Sequence, residues 1–470
     1  MSDRHAIVVG GSIGGMLAAR VLADHFDQIT ILERDHLPEG SENRPGVPQA
    51  RHLHFFLKRG LMVVEELFPG IKADLVAAGS VLLDQGSDFR ILYRSGWSPS
   101  VSCDLEICAF TRPLLEATIR RHLLRNPKVR VMEGIEVAGL VADAAGSRVE
   151  GVRVRPRHHE ETEEHETTVL RADLVVDVSG RGSRAPEWLG ELGQPAPKET
   201  VVDAFWGYAT RIYEPVEGFS ADWKSLFILN RPPHQPRAGI IQPIEGNRWI
   251  VTIAGVMKDY PPTDDEGFLK FAKSLSSPEL FRAIRTARPL SKVWGYRQTE
   301  NRLREYETMP QGFVTMGDAV CSFNPVYALG MTVTCLAALE LGEGLREGKG
   351  TLDSRAFQRR ISKLVEAPWA LTTGEDMRWP MTEGGVKTPK VRFMHWYLEH
   401  VIRLIPKSEE VFRRFQEVNH MLKPPTALFH PAIAGRVLRQ ALGLYKTAPK
   451  PRESAARAPQ TTASTVAVRH

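Results

Sequence analysis

Cysteine is scarce: the 470 residues hold four, Cys103, Cys108, Cys321 and Cys335, with no C-x-x-C pair among them. That spacing argues against a disulfide framework or a cysteine-based zinc site and suits a reducing cytoplasm. Long apolar runs are missing as well. No stretch approaches the roughly 18 uninterrupted apolar residues of a membrane span, and the chain enters its first strand without the charged, apolar, cleavable leader of an exported protein. Neither sign of charge dominates, since 61 basic residues face 56 acidic ones and much of the +5 excess falls near the C-terminus. Such a balance lacks the basic field that nucleic-acid binding draws on. What remains, 42% hydrophobic and 25% charged residues, is the profile of a soluble globular protein, expected in the cytoplasm. Because single cores stop growing near about 250–300 residues, two or three domains are expected.

Apolar spacing places the first elements. HAIVV (5–9) reads as a buried strand, GGMLAARVLADHF carries helical spacing through Met16, Leu17, Val21 and Leu22, and QITILERD reads as a second strand. Strand, glycine turn, helix and strand make a βαβ unit, the crossover that a parallel pair needs. From about 129 to 178 the chain is strand-rich, interrupted by RHHEETEEHE, whose His158, His159 and His165 read as a solvated hairpin tip rather than a metal site. Residues 196–309 alternate in a way that predicts an antiparallel sheet, a separate substrate-facing layer. Beyond 317 helical spacing prevails. In FMHWYLEHVIRLI it assigns Phe393, Trp396, Tyr397, Val401 and Ile405 to the core. The last segment, from 448, is rich in Pro, Ala, Ser and Thr and reads as a disordered tail.

The turn GGSIGG (10–15) follows a strand and opens a helix whose first amides can meet a pyrophosphate. Gly10 allows the tight turn and Gly15 the close packing of helix on strand. Ser12 stands where the G-x-G-x-x-G pattern has its middle glycine, and its hydroxyl could donate to a phosphate oxygen. A left-handed backbone there would cost a residue with a β-carbon about 1–2 kcal/mol. Glu33 ends the second strand about 20 residues on, where an acid holds a ribose hydroxyl and disfavours a 2′-phosphate. FAD or NAD is therefore expected, rather than NADP.

A second stretch, GFVTMGDAVCSFNPVYALGMTVTCLAALEL (312–341), reads as a strand, then Gly317 and Asp318, then a loop and a helix beginning near Gly330. It resembles the second FAD signature of the flavin monooxygenases related to p-hydroxybenzoate hydroxylase. In that signature the aspartate bonds the ribityl chain and the helix N-terminus faces the pyrimidine end of the flavin, whose reduced form carries negative charge. The loop Pro325-Val326-Tyr327-Ala328-Leu329-Gly330 has Ala328 where the family's P-x-x-G-x-G has its first glycine. A third stretch, LVVDVSGRGSRAPEWL, resembles the family's A-D-G-x-x-S motif, with Gly180 on the glycine, Ser179 on the aspartate, and Asp177 two residues earlier in partial compensation.

The stretches RPGVPQARHLHFFLKRG, FTRPLLEATIRRHL and APWALTTGEDMRWPMTEGG are similar to those of a narrower set, the bacterial FAD epoxidases of polyether pathways and their hydroxylase-like relatives. The resemblance implies an α/β fold: a Rossmann-like FAD-binding domain of the glutathione-reductase type (1–195 with 310–345), the antiparallel substrate domain (196–309), a helical region (346–447) and the tail (448–470). It implies that Arg44, Gln49 and Arg51 lie along FAD and that Arg112 approaches its pyrophosphate or ribose, as guanidinium forks suit. Ile13, Gly14, Arg34, His52, Val137 and Met331 join the cofactor-lining set, with one of His52 and His54 lining the flavin pocket and the other structural. Trp206, Tyr208, Gln242, Phe323, Asn324, Pro325 and Tyr327 are candidate walls of an apolar pocket. The expected chemistry is epoxidation or hydroxylation of an apolar polyketide- or terpenoid-like metabolite by oxygen through a flavin C4a-hydroperoxide, with NAD(P)H or a separate flavin reductase supplying electrons. Reduction or dehydrogenation of a similar substrate stays open. So does halogenation, although no tryptophan lies in the W-x-W-x-I-P pattern of flavin halogenases, and so does a flavin-holding scaffold without turnover.

Overall fold

The computed structural model describes residues 3–157 and 167–444. Five parallel strands form its first layer, in the order Phe313–Thr315, Leu174–Asp177, His5–Val9, Gln28–Glu33 and Val129–Glu133. His5–Val9 is central and buried on both faces, which is why it reads as an unbroken apolar run. The helix Ile13–Leu22 covers one face and the helix Gly330–Glu347 packs on it so closely that a β-carbon at Gly342 would stand 2.9 Å from the Val21 side chain.

Two stretches that look continuous in sequence divide between sheets. The chain turns at Gly134, φ +66°, so Val129–Glu133 ends the parallel sheet while Ile135–Ala142 begins an antiparallel meander with Val149–Pro156 and Thr168–Arg171. The segment expected to form the hairpin tip, with His158, His159 and His165, lies outside the described residues, as does the C-terminal tail.

An eight-stranded sheet forms the second layer. Most of its strands come from 207–296, but Phe89–Tyr93 pairs in parallel with Ser225–Ile228 and brings Gly96–Trp97 with it. The sheet thus draws two strands from the stretch expected to belong wholly to the nucleotide-binding layer. The helices Asp265–Lys273 and Glu279–Ile284 bury Phe268, Phe271 and Leu280 against Leu226, Ile228 and Ile241 on one face.

The C-terminal helices Pro389–Leu404, Glu409–Asn419 and Pro431–Ala441 close over Phe89, Ile91 and Tyr93. This contact corrects the expected aromatic stripe. Tyr397, Val401 and Ile405 are buried, whereas Phe393 and Trp396 are 51% and 42% exposed, Phe393 stacking on Phe429 at the margin of the packed face. Among the described residues no helix is long and apolar enough to cross a membrane.

Candidate functional site

A cleft of about 710 Å3 runs from the opening glycine turn, along the C-terminal ends of the parallel strands, to the start of helix Gly330–Glu347. That is where open α/β sheets leave a crevice.

At its outer end Gly10 adopts φ +103°. A β-carbon at Gly15 would lie 1.8 Å from the Gly10 carbonyl oxygen, so Gly15 serves packing and does not line the cleft. Ser12 corrects an expectation: its φ of −84° and ψ of −171° are extended, and no left-handed strain exists there. Its hydroxyl donates to Glu116 Oε2 at 2.9 Å and accepts from Arg112 at 3.0 Å. Glu33 is buried, accepting the amides of Gly11 at 2.8 Å and Asp35 at 2.9 Å.

Arg44 fills the space behind this turn. Its guanidinium reaches Glu33 at 3.1 Å, Asp35 at 3.0 Å and Glu116 at 2.9 Å. Burial alone would lower its pKa, but Glu116, Glu33 and Asp35 raise it above its ordinary value. Arg157 pairs with Asp35 at 2.7 Å and Arg112 lies 3.7 Å from Glu116, so three carboxylates meet three guanidinium groups.

Midway, Gln49 donates to the Tyr296 hydroxyl at 2.6 Å, and Tyr296 stacks on Tyr208 with centroids 5.3 Å apart. His54 lines the cleft. Its Nδ1–H donates to the His52 carbonyl at 3.0 Å, and its Nε2 accepts from Arg112 at 3.3 Å, because a carbonyl can only accept and a guanidinium only donate. Burial, with Arg112 adding, pushes its pKa down to about 3, so the imidazole is neutral. His52 is buried beneath, on Thr210 at 2.9 Å, and burial lowers its pKa to about 4.

At the inner end Gly317 takes φ +64° and Asp318 lines the cleft without a hydrogen bond from any described residue. Burial raises the pKa of Asp318 against the pull of Arg112 and Arg181. The loop to the helix carries the strain expected at Ser12. Ala328 sits at φ +57°, ψ +24°, a left-handed conformation costing a non-glycine residue about 1–2 kcal/mol.

Of the expected cofactor residues, Gly10, Ser12, Ile13, Gly14, Glu33, Arg34, Arg44, Gln49, Arg112, Val137, Gly180, Gly317, Asp318, Pro325, Gly330 and Met331 line the cleft. Arg51 points to solvent and His52 lies beneath the wall. Asp177 is fully buried, its carboxylate accepting the Ser179 amide and the Ser183 hydroxyl, so it shapes the 178–183 loop from below. Among the pocket candidates Tyr208, Phe323 and Pro325 face the cleft and Gln242 is buried away from it.

Trp206, Asn324 and Tyr327 converge instead on Asp376, a residue that sequence reasoning missed although its stretch was singled out. Burial pushes the Asp376 pKa up to about 6 against the pull of its donors. Arg181, Tyr296 and Glu300 were also missed. Arg181 pairs with Glu300 across the cleft wall. Nothing local marks any of these. Among the described residues no cluster of His, Cys, Asp and Glu could hold a metal ion.

Over 396 residues the sequence is 35% identical to Protein Rv3254 of Mycobacterium tuberculosis (strain ATCC 25618 / H37Rv), covering 79% of this chain and 80% of that protein. The chain belongs to the family of Protein Rv3254. No protein-family model matches it. Among solved structures, a triple mutant of the flavin-dependent brominase Bmp2 superposes with a TM-score of 0.64 at 14% identity, over 93% of this chain and 98% of that one. A flavoprotein/dehydrogenase from Cytophaga hutchinsonii gives 0.64 at 14%, over 94% and 98%. The flavin-dependent halogenase CmlS gives 0.61 at 15%, over 94% and 78%. At these identities the likeness is one of fold: this member of the Rv3254 family has the mixed α/β architecture of the flavin-dependent monooxygenases and halogenases.

Proposed function

We propose that the protein is an FAD-dependent monooxygenase that epoxidises or hydroxylates an apolar organic metabolite. One observation carries this reading. A single cleft joins the Gly10–Gly15 turn and Glu33 to Asp318 and the N-terminus of helix Gly330–Glu347. The residues present fit a flavin dinucleotide: Gly10 and Gly317 take the left-handed backbone that the two turns need, Asp318 offers an acceptor that no described residue engages, and Ile13 and Gly330, which open two helices, line opposite ends. Glu33, Gly10 and Arg112 would hold the adenosine and pyrophosphate, and Asp318 and Gly330 the ribityl chain and flavin ring.

Bound FAD supplies the reduction of dioxygen from which an oxygen atom is delivered. The chain's own part is to bind, orient and exclude water. Phe323 and Pro325 offer an apolar wall at the inner end, and the Tyr208 ring another midway. His54, neutral and tied at both nitrogens, orients Arg112 rather than exchanging protons with a substrate. Electrons come from NAD(P)H or from a separate flavin reductase.

The test is to purify the chain, measure stoichiometric FAD uptake, and follow oxygen consumption and label from 18O2 with apolar polyene substrates under NADPH alone or with a reductase. Yellow protein and singly labelled product are expected, whereas a chain that takes up no FAD overturns the reading. Halogenation is the second reading, supported by the fold likeness to Bmp2 and CmlS. A product that forms only with added bromide or chloride would favour it.

A further inference from the structure

Asp376 ends the long helix Ser354–Asp376, outside the cleft and fully buried. Four side chains from three other parts of the chain donate to it. Trp206 Nε1 reaches Oδ1 at 2.9 Å and the Tyr327 hydroxyl the same oxygen at 2.6 Å. Asn301 Nδ2 reaches Oδ2 at 2.6 Å, and Asn324 Nδ2 spans both oxygens at 3.3 and 3.2 Å. No cation pairs with Asp376 among the described residues. An ionised carboxylate offers about four lone-pair sites, and here the donors match them.

Two of those donors, Asn324 and Tyr327, lie either side of Pro325 and just before Ala328, both of which face the inner end of the cleft. Asn324 is fixed at its amide as well, donating to Asn301 Oδ1 at 2.9 Å, and its own carbonyl accepts from the Tyr327 amide at 3.2 Å. The next residue is the left-handed Ala328, and helix Gly330–Glu347 starts two residues later. A strained residue persists only where its surroundings over-determine it. The anchoring of Asn324 and Tyr327 supplies that constraint, from a segment more than forty residues downstream.

We infer that Asp376 is a positioning residue: from the C-terminal helical region it holds the Asn324–Ala328 loop, and through it the left-handed Ala328, in the shape the flavin end of the cleft requires. This rests on the reading of the cleft as an FAD site. An isosteric Asp376→Asn change turns one acceptor into a donor facing donors, so the loop loses its anchor while volume is kept. Glycine at 328 adopts the same backbone without penalty, so Ala328→Gly removes the need for the anchor.

Full-length wild type, Asp376→Asn, Ala328→Gly and the double variant are compared in two measurements. The first, amide hydrogen exchange without cofactor, is expected to show faster exchange across 324–330 in Asp376→Asn, with the amides of the parallel sheet unchanged and protection restored in the double variant. The second, FAD titration with absorbance spectra, is expected to show about tenfold weaker binding and an altered flavin band shape in Asp376→Asn, both reversed by Ala328→Gly. Unchanged exchange at 324–330 overturns the inference. So does a loss spread evenly over the molecule, or one that glycine at 328 leaves uncorrected. If wild type takes up no FAD, the functional reading falls, and the exchange measurement still decides whether Asp376 holds the loop.

Discussion

The two ends of the cleft bury charge in opposite ways. At the outer end Arg44 meets Glu33, Asp35 and Glu116, and Arg112 and Arg157 bring the count to three against three. Behind the inner end, outside the cleft itself, Asp376 has no counter-ion among the described residues and is satisfied by an indole, a phenol and two amides. A balanced ionic cluster tolerates no missing member, because each removal strands charge in a medium that cannot screen it. A carboxylate held by neutral donors is bound by direction rather than by charge. It can therefore govern the shape of a loop.

The largest effect expected from this contrast is at Arg44. Arg44→Ala leaves three buried carboxylates short of a cation and should destabilise the fold by about 3–5 kcal/mol, read by urea denaturation. A loss below about 1 kcal/mol would mean that water enters and the outer end is not dry.

A control that touches neither end comes next. His420 is buried behind Phe55, its Nδ1 accepting the Lys58 amide at 3.1 Å, and burial lowers its pKa to about 3. Because the folded value lies below the ordinary 6.5, its contribution is present above pH 6.5 and is lost as pH falls from there toward 3. His420→Asn keeps an acceptor for Lys58 and should lessen the acid-side slope of the stability curve, which His52 and His54, their pKa values also lowered by burial, share. An unaltered slope would place that lability elsewhere.

The smallest effect concerns Ser12. Were it strained, Ser12→Gly would stabilise the turn. With an extended backbone and its hydroxyl between Glu116 and Arg112, glycine should instead cost about 1 kcal/mol in thermal unfolding.

What the sequence disclosed and what it hid follow from distance along the chain. The βαβ opening, Gly10, Gly15 and Glu33 are legible because a turn, its helix and the acid after the next strand are local and periodic. Gly317 and Asp318 are marked only by the resemblance of 312–341 to a flavoprotein signature, and Gly330 by the helical spacing that follows it. The resemblance marks Arg44 for the cleft, but its ionic cluster is hidden because Glu116 and Arg157 lie 72 and more than a hundred residues away. An aspartate closing a helix, such as Asp376, carries no local sign that side chains from 206, 301, 324 and 327 will meet it. Ser12 and Ala328 both replace a glycine of the expected patterns, and nothing in either stretch tells that only Ala328 is left-handed. Phe393 and Trp396 share a helical period with buried neighbours, but periodicity does not say how far the covering elements reach over that face.

The order of the parallel sheet has a consequence for how the chain emerges during synthesis. Leu174–Asp177 lies between His5–Val9 and Phe313–Thr315, and the latter arrives more than a hundred residues after it. Until then Leu174–Asp177, apolar in three of its four residues, is an unpaired edge. Nascent or truncated chains ending before 313 carry an open seam to which another chain can add a strand, so the last strand of the parallel sheet also protects against aggregation.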